Sequence, residues 1–204
     1  YFSPGTCALA SRIALEHVGA PYDAVRIDFG SKQQKDPRYL AVNPKGRVPA
    51  LVTDEGVITE TPAILLYICQ CFPEAGLAPL DDPFSLAMVQ SFNSYLCSTV
   101  HVAHAHRMRG SRWSDDVSAH ESMARKVPQS VGDAFALIED DLLMGPWVMG
   151  EAYGIADMYL FTLAQWLEAD GVDLERLPRV LDHRERVGRL PAVQQALEGE
   201  EASS

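Results

Sequence analysis

The sequence predicts an α+β domain of order βαβ-ββα followed by an all-α helical bundle, and three observations carry that expectation. Strand-period and helix-period segments alternate through residues 1–74, turn-forming residues cluster at 75–82, and residues 83–204 repeat at helical spacing. The expected division is therefore a first domain at 1–74, a linker at 75–82 and a helical domain at 83–204.

Each element has a local cause. Tyr1-Phe2 reads as the tail of an apolar strand, and because the chain opens without Met, further residues are expected upstream. Residues 6–18 place Leu9, Ile13 and Val18 at helical spacing with Ala8, Ala10 and Ala14 between them, and Gly19 supplies the stop. AVRIDF (24–29) alternates Val25, Ile27 and Phe29 as a strand does. PALVTD and VITE, joined at Glu55-Gly56, read as a tight hairpin. TETPAILLYICQCF (59–72) has a polar start, Pro62 in the first turn and then a strongly apolar helix. Parallel strands need a crossover such as a helix, so the βαβ unit and the hairpin can share one mixed sheet, a thioredoxin-like arrangement. After PEAGLAPLDDP, helices are expected at 83–109, 117–143, 155–169, 175–189 and 192–198, and the terminal EGEEASS, without apolar anchors, is expected to fray.

The 204 residues are 47% hydrophobic and 22% charged, enough apolar surface for a sizeable core and too little polar bias for extensive disorder. The net charge of −11 is uneven: residues 1–80 carry 7 Lys and Arg against 8 Asp and Glu, the remainder 10 against 20. That acidic balance argues against a nucleic-acid footprint and directs any anionic ligand to Arg12, Lys32, Lys35, Lys45 and Arg47 in the first part. No apolar run approaches the roughly 18 residues of a membrane span and no leader pattern opens the chain, so a cytoplasmic protein without a membrane partner is expected. Four cysteines without a CxxC argue against a disulfide framework.

Three segments stand out chemically. Cys7 begins a helix, where the dipole and unpaired N–H groups favour thiolate over thiol; the alternative is a small buried hydrophobe. Position 10 is Ala, so Cys7 has no local resolving partner. In NPKGRVPAL (43–51), a cis peptide at Val48-Pro49 would expose the backbone before the proline to a ligand, although a plain strand start explains the same residues. In Glu60-Thr61-Pro62, Thr61 can cap a helix that binds a carboxylate while Glu60 pairs with an amine; an ordinary capped helix is the other reading.

SPGTCALA, NPKGRVPAL, TETPAILLYI and GIADMYLF, in that order and spacing, resemble the cytosolic glutathione transferases, most closely the bacterial beta-type enzymes with an active-site cysteine. The resemblance implies that Cys7 meets the glutathione sulfur, that Val48 before a cis Pro49 bonds the tripeptide backbone, and that Glu60 and Thr61 hold its γ-glutamyl end. It also implies that Lys32 approaches the glycine carboxylate, that His101 reaches toward the thiol, and that the protein is a homodimer acting on a small hydrophobic electrophile without a metal. Where the family pattern has an asparagine seven residues before that histidine, this chain has Ser94, with Asn93 one earlier, and Gly154 replaces the usual Ser or Thr cap, leaving Asp157 as its N3 partner. Two other readings share the first domain: a binding protein for glutathione or a hydrophobic ligand without turnover, and a glutathione-dependent lyase, dehalogenase or isomerase. Cys97, His101 and His104, at i, i+4 and i+7, also fit a zinc-binding helix face, although one helix rarely supplies a whole site.

Overall fold

A computed structural model of the chain describes residues 1–202. They form two compact units, one of residues 1–86 together with those from 188 onward, the other of residues 87–187.

In the first unit, Tyr1 and Phe2 form the middle of a small mixed sheet. Phe2 bridges Arg26 in parallel, its N–H donating to Val25 O at 3.0 Å while Ile27 N–H donates to Phe2 O at 2.7 Å. On the other side, Tyr1 and Ala50 exchange backbone bonds of 2.9 and 3.3 Å. Strand β1 (Ala50–Thr53) then pairs antiparallel with β2 (Gly56–Thr59), from Ala50↔Thr59 to Thr53↔Gly56. The strand expected at 24–29 shrinks to that single bridge. Asp28 accepts Gly30 N–H at 2.8 Å, and its own N–H donates to Gln33 Oε1 at 2.9 Å, which turns the chain out of the ladder.

Helix α1 (Ala8–Val18) buries Leu9, Ala10, Ile13 and Ala14 and ends at Gly19, whose φ of 64° only glycine adopts without penalty. After α2 (Pro37–Val42), the apolar helix α3 (Thr61–Cys71) packs Ile64, Leu65 and Ile68 on its buried face. Phe2, Ala8, Ile27, Tyr39 and Val48 make one core cluster beneath the sheet, so the segment carrying Cys7 and the one carrying Val48 rest on the same apolar floor.

Helix α1 packs against α3 and against the last helix of the chain, which the elements between now bring into order. The second unit opens with α4 (Pro83–Tyr95), a π-turn at Leu96–Val100 and α5 (His101–Ala105), so the helix expected over 83–109 is interrupted just before His101. A second π-turn, Ile138–Leu142, closes α6 (Val117–Leu137). A π-turn adds one residue to a helical turn and rotates everything after it, and no sequence periodicity announces it. Helix α7 (Ile155–Ala164) is buried along its whole length, and α8 (Pro178–Gly188) follows. Gly154 gives α7 no capping side chain, but Asp157 accepts Gly154 N–H at 2.8 Å, Val148 N–H at 2.7 Å and His183 Nε2–H at 2.8 Å, so one buried carboxylate ties three segments.

The last helix, α9 (Pro191–Glu201), belongs to the first unit. The fraying expected for EGEEASS does not occur up to Ala202; Ser203 and Ser204 lie outside the described residues. The reason is polar rather than apolar. Glu200 is buried and its Oε2 accepts Gly5 N–H at 2.9 Å, while Arg12, also buried, lies so close that a Cβ at Gly199 would collide with its guanidinium. Burial pushes the Glu200 carboxyl above its ordinary range, opposed by the Gly5 bond and the Arg12 charge.

Candidate active site

Cys7 occupies the N-cap of α1 with helical backbone angles (φ −61°, ψ −9°), and its side chain is buried at the start of the helix dipole. The loop before it is held on both sides: Thr6 Oγ1–H donates to Ser3 O at 2.7 Å and accepts Ala8 N–H at 3.4 Å, and Gly5 is bound to Glu200. The Cys7 Sγ–H donates to the backbone carbonyl of Val48 at 3.7 Å, and the Val48-Pro49 peptide is cis. Two segments 41 residues apart in sequence thus meet thiol to carbonyl. Cys69 shows the contrast. It sits in the last turn of α3, where burial pushes its thiol up to about 12 and makes it inert near neutral pH.

The turn that presents Val48 is fixed by one side chain. Asn43, 1% exposed, accepts Lys45 N–H at 3.1 Å through Oδ1 and donates through Nδ2 to Arg47 O at 2.7 Å, and the Tyr39 hydroxyl donates to the same carbonyl at 2.5 Å. Lys45 reaches across to β2, where Nζ donates to Thr59 Oγ1 at 2.7 Å and to Glu60 Oε1 at 2.5 Å. Glu60, expected to pair with an amine, therefore has an amine partner within the chain itself. It is also the N-cap of α3, and Thr61 is the first helical residue rather than the cap.

Two non-glycine residues among those described have positive φ, Lys32 at 60° and Glu60 at 73°. Both are sequence-predicted site residues. Such angles cost on the order of 1–3 kcal/mol and persist where the surroundings impose them, typically at sites that bind. Cys7, Val48, Glu60 and Thr61 lie on the loops and helix starts around β1 and β2; Lys32 is exposed at the turn after the Arg26 bridge.

In the second unit the π-turn delivers His101 to the start of α5, where its ring meets Trp166 edge-on at 5.1 Å. Asn93 is fully buried and Ser94 exposed. Among the described residues no group of His, Cys, Asp and Glu is placed to hold a metal ion; His101 and His104 stay neighbours on α5, their rings 6.4 Å apart, while Cys97 lies within the π-turn before them. No described helix is long and apolar enough to cross a membrane.

Residues 1–70 match the model of the glutathione S-transferase N-terminal domain. Glutathione S-transferase GstA of Escherichia coli O157:H7 is 32% identical over 203 residues, covering 98% of this chain and 97% of its own. The chain belongs to the glutathione S-transferase family. A glutathione transferase homologue from Sulfitobacter, solved with bound glutathione, superposes with a TM-score of 0.94 at 43% identity, covering 98% of this transferase and 96% of the homologue. The maleylacetoacetate isomerase of Pseudomonas aeruginosa is 29% identical over 94% of this chain and 91% of its own. The expected α+β domain followed by a helical domain is the architecture of this transferase.

Sequence reasoning missed three buried residues that hold segments or rings next to the candidate site residues: Asn43, Glu200 and Asp170. Asn43 carries a signal, since Asn before Pro-x-Gly is a turn former. Glu200 and Asp170 carry none, because their partners lie 195 and 66 residues away.

Proposed function

We propose that this transferase binds glutathione across Cys7, Val48, Pro49, Glu60, Thr61 and Lys32, and presents its thiolate to an apolar electrophile or exchanges thiol and disulfide through Cys7. The observation that carries the reading is the 3.7 Å approach of Cys7 Sγ to Val48 O. If the Val48 backbone pairs with the cysteinyl backbone of the tripeptide, the glutathione sulfur, one methylene from that backbone, falls beside Cys7 Sγ at the positive end of α1. A helix N-terminus and a thiol donor there favour the thiolate, which is the nucleophile.

In conjugation, the glutathione thiolate forms the new carbon–sulfur bond as the leaving group departs, and Cys7 keeps its proton and donates a hydrogen bond. In exchange, the Cys7 thiolate attacks the glutathionyl sulfur of a mixed disulfide, forming a protein–glutathione disulfide and releasing the other thiol; a second glutathione then frees Cys7. Glu60, relieved of Lys45, receives the γ-glutamyl amine, and the first turn of α3 at Thr61 receives its carboxylate. Lys32 is assigned the glycine carboxylate and His101 the second catalytic position. Residues 1–74 act as the glutathione-binding domain, and the protein works as a cytoplasmic homodimer.

A glutathione-dependent isomerase is the second reading, favoured by the likeness to the Pseudomonas aeruginosa maleylacetoacetate isomerase. Cys7→Ala and Cys7→Ser, assayed separately for conjugation of chlorodinitrobenzene and for reduction of a glutathionylated disulfide, test the first. Disulfide reduction is expected to vanish in both variants and conjugation to fall more in Cys7→Ala than in Cys7→Ser; unchanged rates in both assays remove Cys7 from the mechanism.

A further inference from the structure

The second unit contains an arrangement that neither the resemblance nor the proposed chemistry assigns. Asp170, 1% exposed, places its two oxygens 2.7 and 2.9 Å from His104 Nδ1. A carboxylate there accepts a hydrogen bond, so Nδ1 carries the hydrogen and the imidazole is held in tautomer and in plane. Arg107 approaches the same carboxylate with Nε at 3.4 Å and also donates to the Ala169 carbonyl, so the buried Asp170 side chain lies between two basic neighbours.

The fixed ring has a neighbour. His104 stacks on the Trp166 indole at 4.1 Å between centroids and 23° between planes. The indole meets the His101 ring at 5.1 Å and 62°, and His104 itself stands 6.4 Å from His101 at 61°. Orientation thus passes by contact from a buried carboxylate through two flat rings to a third. The π-turn at Leu96–Val100 immediately precedes His101 and so sets the register in which α5 carries both histidines.

We propose that Asp170, His104 and Trp166 are positioning residues that set the ring of His101 for the reaction of this transferase. The inference rests on the assignment of His101 under the proposed function. Rings at these separations gain from offset and edge-on contact, and the cost of rotating one rises because its neighbour cannot follow. A base or hydrogen-bond donor misplaced by about 1 Å can cost roughly 100-fold in rate, so loosening the cage is expected to lower turnover more than binding.

The test is a double-mutant cycle on conjugation of chlorodinitrobenzene with glutathione, using the full-length protein. Asp170→Asn and His104→Ala are each expected to lower kcat about tenfold while the glutathione KM stays within about twofold. His104→Phe, which keeps a ring on Trp166, is expected to recover part of the loss. In a His101→Ala background, neither substitution is expected to lower kcat further, because what they position is gone. A merely structural role gives the same fractional loss in both backgrounds and overturns the proposal while leaving His101 catalytic. Full activity in His101→Ala alone overturns the assignment of His101 and the positioning role with it. Loss of folding in Asp170→Asn leaves the decision to His104→Ala and His104→Phe, for which no recovery by the ring refutes positioning.

Discussion

The two units hold their candidate site residues by different means. Around Cys7 the first unit offers main chain: the N-terminus of α1, beside which Thr6 accepts Ala8 N–H, and the Val48 carbonyl, presented by the turn that Asn43 holds. Around His101 the second unit offers rings, and their direction comes from side chains alone. A peptide ligand is recognised through amides and carboxylates that every glutathione shares, so a backbone site suits the constant substrate. Rings on helices can be exchanged without disturbing backbone hydrogen bonds, so this cluster can vary at little cost to the fold.

Substitutions can break this contrast or sharpen it. The largest effect is expected away from either site. Asp157→Ala removes the acceptor of three buried hydrogen bonds and leaves Val148 N–H, Gly154 N–H and His183 without it, so a loss of about 3–5 kcal/mol in urea unfolding is expected. A loss below about 1 kcal/mol would show that the rigidity of the ring site does not depend on this anchor. Next, Asn43→Ala deprives Lys45 N–H and the Arg47 carbonyl of their partner and is expected to cost about 1–3 kcal/mol and raise the glutathione KM. An unchanged KM would mean that the turn does not aim the Val48 backbone.

A smaller and pH-dependent effect is expected at Glu200. Its folded pKa is raised, so the native state holds the proton more tightly than the unfolded chain, and stability falls as pH rises from the ordinary glutamate range through the raised value. Glu200→Gln keeps an oxygen for Gly5 N–H and should flatten that part of the curve of Tm against pH; identical slopes would place the titration elsewhere. The smallest effect belongs to Lys45→Met. Lys45 and Glu60 are 46% and 62% exposed, so their 2.5 Å pair should contribute under about 0.5 kcal/mol to folding. A larger loss would mean that the positive φ of Glu60 depends on this lysine.

Much of the first unit was legible because its signals are local. The helix after Cys7, the Val48-Pro49 segment and the hairpin each declare themselves within about ten residues through period, proline or turn chemistry. The strand at 24–29 misled because alternation reports which face is apolar and not whether a partner continues alongside. In the second unit, helices were legible but their interruptions were not: Leu96–Val100 keeps an apolar pattern through a turn of different pitch. The Asp170–His104 pair and the Glu200–Gly5 bond belong to no window at all, and an acidic tail without apolar anchors reads as solvent-facing until the arginine opposite is known.

The return of α9 to the first unit gives the chain an order of assembly. Residues 87–187 form an insertion within the first unit, so on the ribosome that inserted unit can close while the loop around Cys7 still lacks Glu200. The thiol-bearing loop is made before the inserted unit and fastened after it. Until α9 emerges, the turn that leads into Cys7 lacks the Glu200 carboxylate, which is made 195 residues after Gly5.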